Sequence, residues 1–247
     1  LPAPPPTPAL HLSLWASLPL AWCLPALRHL RDDAWDYDEG PLLQAAALAR
    51  DGARLYSEVS LNKPPVFIWI LRAGFALGRP DVASARLAVL AVTLAGFLSR
   101  RVLDPTASPR SRLLSAPAVA ALALSLAPRS IPWRGRSSTM EAVVRDLQSV
   151  TAPGEYVVSD DPFMVFVAGR RAPPPLADTS NKSIVTGFLS SADALSAMRR
   201  YRVRVVVLGT GRLARMDAFL RAVRSASVDR RVIGDHERMV IDPARLR

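Results

Sequence analysis

Five carboxylates crowd residues 32–39 (Asp32, Asp33, Asp36, Asp38 and Glu39) of a 247-residue chain whose formal charge is +11. Lys63 follows, directly ahead of Pro64-Pro65 and an apolar run. Carboxylates at the start of a helix sit at the positive end of its dipole, which favours their ionised form. A lysine is a mobile point charge suited to a phosphate. Together, at the edges of hydrophobic segments, these groups read as a place to handle a phosphate-bearing lipid. Each also has a plainer role: Asp38 and Glu39 as helix-capping acids, Lys63 as an interfacial lysine with a buried stem.

The elements that must position them follow from spacing. Asp38 can cap a helix whose first turn tolerates Pro41, because a ring there removes no intrahelical hydrogen bond. Leu42, Leu43, Ala46, Ala47 and Leu48 give that helix an apolar side, and Asp51-Gly52 stops it. Lys63 then sits in a loop before the apolar run 66–77, which Arg72 interrupts.

The order Asp-Glu, short Ala/Leu helix, Lys-Pro-Pro and two apolar segments resembles the family 39 glycosyltransferases. These are membrane enzymes of the GT-C fold that include protein O-mannosyltransferases and aminoarabinose transferases. The resemblance covers roughly residues 10 to 130, and the stretches Ser159-Asp160-Asp161-Pro162 and Leu176-Ala177-Asp178-Thr179-Ser180 look like the tail of bacterial members. It implies transfer of a sugar from a polyprenyl-phosphate donor to a lipid or protein acceptor hydroxyl, with inversion. Asp38 would be the base that takes the hydroxyl proton, with Asp36 as competitor, Glu39 in support and Lys63 on the donor phosphate. Many members carry Glu immediately before Lys-Pro-Pro; Asn62 stands here. That departure weakens the case for a carboxylate-bound divalent metal, the one cofactor left open. Members also carry many more spans between the early loop and the tail. Pro128 here leads almost directly into the tail, so the sequence reads as truncated or internally deleted, and the activity of the shortened chain is left open.

The expected fold is an α-helical membrane region over 1–130, followed by a small α/β extracytoplasmic domain over 137–247. About three spans are expected, at Ala9–Leu27, Val82–Leu98 and Leu113–Ala127, with 66–77 as a juxtamembrane helix too short to cross. Arg100, Arg101, Arg110 and Arg112 would lie inside by the positive-inside rule, placing the acidic loop and the C-terminal domain outside a multi-pass plasma-membrane protein. In the tail, a helix over Thr139–Val150, a strand at Tyr156–Ser159, a helix at Ala192–Tyr201, a buried strand at Val203–Leu208, a helix over Met216–Val223 and a terminal hairpin predict a partly parallel sheet.

Other chemistries find little. Thirty-two Lys and Arg against 21 Asp and Glu could suggest nucleic acid, but the arginines flank apolar runs or scatter, with no aromatic-rich basic face. Cys23 is the single cysteine, and His11, His29 and His236 lack metal spacing. Gly209-Thr210-Gly211 lacks the spacing of a dinucleotide loop and the lysine of a P-loop, and reads as a strand-to-helix turn, as Asp160-Asp161 reads as a turn. The non-catalytic alternative is a membrane-anchored protein displaying an α/β binding domain.

Overall fold

The structure, a computed structural model, describes residue 30, residues 37–102 and residues 137–246. Helix α1 (Glu39–Arg50) ends at Asp51, and Gly52 (φ +101°) turns the chain away. Leu43, Ala45, Ala46 and Ala47 are all buried, so α1 is covered almost all round rather than on one side. Short alanine side chains let neighbouring helices approach from several directions. Helix α2 (Pro65–Leu77) begins with proline at its first position, where no hydrogen bond is lost. Its Ile68, Leu71 and Phe75 face inward, while Val66, Phe67, Trp69 and Leu77 are exposed. Helix α3 (Val82–Val102) packs back on α2, closely enough that a Cβ on Gly74 would lie 2.7 Å from the Ser84 carbonyl oxygen.

This region corrects the expected membrane architecture. No helix among the described residues is long and apolar enough to cross a membrane. Helix α3, which contains the expected span Val82–Leu98, has the length, but Ser84, Arg86 and Thr93 interrupt its apolar run and Ser99-Arg100-Arg101 end it. Arg86 is buried against protein and paired with Glu39. The α-helical membrane region, the transmembrane helices and the multi-pass plasma-membrane placement therefore give way to helices packed on an α/β unit. The acidic turn and the C-terminal residues accordingly lose their extracytoplasmic assignment. The segments Ala9–Leu27 and Leu113–Ala127 lie outside the described residues, as do Asp32, Asp33 and Asp36.

Helix α4 (Ser138–Val150) starts at Ser137, whose hydroxyl accepts the Met140 N–H at 3.1 Å. Strand β1 (Val157–Ser159) leads into α5 (Pro162–Val167), then a 3-10 turn at Pro174–Leu176 and α6 (Asn181–Val185). A reciprocal Ser190–Asp193 cap opens α7 (Ser191–Arg200), which feeds β2 (Val205–Leu208). Helix α8 (Asp217–Ala226) precedes the hairpin of β3 (Ser227–Ile233) and β4 (His236–Ile241). The strand order is β1-β2-β4-β3, with β1 and β2 parallel and the remaining pairs antiparallel.

Alternation along the strands divides the core between the two faces of the sheet. Val157, Val205 and Val207 join a cluster with α1, α2, α4 and α5, and Val158, Val206 and Leu208 join one with α7 and α8. The first cluster ties the helical residues to the sheet. Phe75 of α2 stacks on Phe166 of α5 with ring centroids 5.7 Å apart.

Candidate functional site

The acidic turn lies where α1, α2, α3 and the turn after β1 converge. Asp38 does not cap α1: its side chain makes no capping hydrogen bond, and its backbone is already helical (φ −65°, ψ −22°). The carboxylate instead reaches across 25 residues to the ammonium of Lys63. Lys63 is placed by the tight turn after α1. There the Tyr56 N–H donates to the Val59 carbonyl at 3.1 Å, and the Tyr56 hydroxyl donates to the Lys63 carbonyl at 2.7 Å. Pro64 then holds an extended conformation into α2. The structure thus brings Asp38 and Lys63 into contact.

Glu39, next in the chain, has a different environment. Its two carboxylate oxygens accept from Arg86 of α3, Nε at 2.7 Å and a terminal nitrogen at 2.9 Å. This is a two-point pair in which the arginine is buried. By contrast, the side chains of Asp38 and Lys63 keep 48 % and 32 % of their exposure. An ion pair this open is worth ~0–1 kcal/mol, so it can change partners at little cost. The buried pair cannot, because removing one partner strands the other charge away from water. The two adjacent carboxylates therefore divide the work: Glu39 anchors α1 to α3, and Asp38 stays available.

The α/β unit holds the turn from below. Tyr37 directs its hydroxyl to Thr179 Oγ1 at 3.0 Å, and that hydroxyl donates in turn to the Ser159 carbonyl at 3.1 Å. With the Thr179 proton committed to Ser159, Tyr37 is the donor in the first bond. The Arg212 guanidinium lies 3.6 Å from the centre of the Tyr37 ring. Burial, together with Asp178 and Asp161 nearby, pushes the phenol well above its ordinary range, so it remains a neutral donor. Asp161 caps α5 by accepting the Phe163 N–H at 3.1 Å, and burial raises its pKa as well. Gly40 closes the contact: a Cβ there would lie 2.6 Å from the Phe163 backbone nitrogen.

Gln44 is a positioning residue that sequence reasoning missed, as it missed Tyr37. It is fully buried in the middle of α1. Its amide donates to the carbonyls of Pro162 and Arg170 at 3.3 and 3.4 Å, and its oxygen accepts the Ala172 N–H at 3.1 Å. The signal available was a single amide inside the run Leu-Leu-Gln-Ala-Ala-Ala; a buried polar group there must find partners. Two motifs weighed in the tail, Asp160-Asp161 and Gly209-Thr210-Gly211, meet each other. Asp160 accepts backbone N–H groups from Gly209, Thr210 and Arg212 at 2.8, 3.2 and 3.1 Å, joining the loops after the two parallel strands.

Among the described residues no three His, Cys, Asp or Glu side chains gather in a way that could hold a metal ion. What the arrangement offers chemically is an accessible carboxylate touching an accessible ammonium, both on backbone fixed from beneath. No family model, curated protein or solved structure matches the chain.

Proposed function

We propose that the chain transfers a sugar from a polyprenyl-phosphate donor to an acceptor hydroxyl at the Asp38–Lys63 pair. The observation that carries this reading is the pairing itself: a base and a cation, distant in sequence, meet at an accessible surface. The likeness of this residue order to family 39 glycosyltransferases supports the same assignment. A donor phosphate competes for the Lys63 ammonium, and the exchange releases the Asp38 carboxylate. The acceptor oxygen then forms a bond to the anomeric carbon as the bond from that carbon to the phosphate oxygen breaks. Asp38 takes the acceptor proton, and polyprenyl phosphate departs as an anion neutralised by Lys63. Glu39 holds the first turn of α1 in place through Arg86.

The test uses the full chain in detergent with a radiolabelled polyprenyl-phosphate sugar and a hydroxyl acceptor. Asp38→Asn removes the base with little change in shape and is expected to cut transfer at least ~100-fold. The folded state should change little, because the Asp38–Lys63 pair is half open to water. Undiminished transfer by this variant would rule out Asp38 as the base. Absence of transfer by the parent chain across a panel of donor sugars would favour a binding role for the α/β unit.

A further inference from the structure

A half-open groove of about 540 Å³ runs beside the Lys63 loop, between the end of α1 and the outer face of α2. Its volume falls within the ~300–1,000 Å³ typical of small-molecule sites. Ala49, Gly52, Ala53, Leu55 and Pro65 line it together with the rings of Tyr56 and Trp69. Both residues keep more than half of their exposure and can be reached by a ligand. Two arginines complete the lining. Arg54 pairs with Glu58 at 3.3 Å, and Arg72 makes no hydrogen bond or ion pair among the described residues. Trp69 and Arg72 are three residues apart on α2 and so share a face of that helix.

This lining narrows the occupant. A purely apolar ligand would cover the rings and make no use of Arg72, while a bare anion would meet Arg72 and make no use of the rings. A ligand that uses the whole lining offers a flat carbon–hydrogen face and a negative charge on one small body. We infer that the groove binds an anionic saccharide, with a pyranose face against the Trp69 indole and an acid group on the Arg72 guanidinium. A nucleotide also combines a flat ring with a charge, so the choice of a saccharide rests on the transfer reading above. One contact joins the two sites: the Tyr56 hydroxyl that borders the groove holds the Lys63 carbonyl. A saccharide seated here touches the loop that carries the phosphate-binding cation, which suits the acceptor rather than the lipid-linked donor.

The experiment is equilibrium binding of trigalacturonate to the full chain by calorimetry. Maltotriose, AMP and inorganic phosphate are run beside it as neutral-sugar, nucleotide and bare-anion probes. Trigalacturonate is expected to bind, and maltotriose to bind at least about tenfold more weakly, the equivalent of ~1.4 kcal/mol. Trp69→Ala and Arg72→Gln should each weaken trigalacturonate by a similar factor, with melting curves to check that these exposed substitutions leave the fold intact. The inference is overturned if trigalacturonate does not bind, if it binds equally to both variants, or if AMP or phosphate binds as tightly. No transfer step enters the measurement. A failed groove and a failed catalytic pair are therefore told apart.

Discussion

Two clusters of paired charge sit in different parts of the molecule. At the acidic turn, Asp38 and Lys63 meet half open to water. Beneath the hairpin, Asp146 of α4 accepts from Arg231 and from Arg238 Nε, both at 2.9 Å, while Arg238 also reaches Asp229. Asp146 and Arg238 are buried, and α4 is held to β3 and β4 through them. Chemically the clusters are alike, a carboxylate on a cation. They differ in access: water and ligands reach the first, whereas the Asp146–Arg238 pair at the centre of the second is covered by protein and only Arg231 and Asp229 at its edge stay exposed. A sealed pair is costly to open and therefore fixes structure; an exposed pair contributes little stability and can trade one anion for another. Exposure, more than charge count, separates the two clusters.

The sharpest way to break this contrast is to make the same substitution at both places. Asp146→Ala takes one of two carboxylates from the buried Arg238; Asp229 still meets it, so the loss of unfolding free energy should lie near the lower end of the range for a broken buried pair, about 3 kcal/mol. Asp38→Ala should cost under about 1 kcal/mol. Chemical denaturation of the two variants decides the matter. Similar losses at both sites would erase the distinction between a structural and an exchangeable pair.

A smaller effect is expected at the junction between the helices and the sheet. Gly40→Ala keeps helix propensity but drives a methyl group toward the Phe163 backbone, which α5 holds in place. A loss of about 1–3 kcal/mol is expected, by overpacking. Transfer should fall as well, because α1 carries Asp38 at its start. A stable and fully active Gly40→Ala chain would mean that α1 and α5 do not have to approach this closely for the turn to work.

How far the sequence showed this in advance depended on the range of the interaction. Local signals placed α1, the stop at Asp51-Gly52, the helix after Ser137, the buried strand at Val205–Leu208 and the closing hairpin. A partly parallel sheet followed from the alternation of strand and helix, but not which strands form the parallel pair. Long-range partners were not visible. Arg86 in an apolar run looked like the flank of a membrane span, because nothing local shows that Glu39, 47 residues away, neutralises it. Asp38 reads in the sequence both as a cap, because the capping pattern is local, and as one site with Lys63; the contact itself is made by a turn and two prolines, which no local pattern shows. Tyr37 drew no notice at all; its contacts with Thr179 and Arg212 exist only once the sheet has assembled.

The smallest expected effect concerns a carboxylate just under the acidic turn. Burial raises the Asp161 pKa in the folded state above the ordinary value of 3.8. Below 3.8 the group is protonated both folded and unfolded and contributes no difference between the states. As pH climbs from 3.8 toward the raised folded-state pKa, the unfolded chain releases its proton first. The slope of stability with pH from this group is therefore negative, and above that window a constant penalty remains. Asn is an equally good helix cap, so Asp161→Asn keeps the bond to the Phe163 N–H and removes only the charge. The variant should melt above the parent at neutral pH, and the gap should close as the buffer is taken below 3.8. Melting curves of both chains across that range isolate the effect, since every other titrating group is common to the pair. A variant that melts lower at neutral pH, or a gap that does not change with pH, would show that the Asp161 charge is compensated beneath the turn, as the charge of Asp146 is beneath the hairpin.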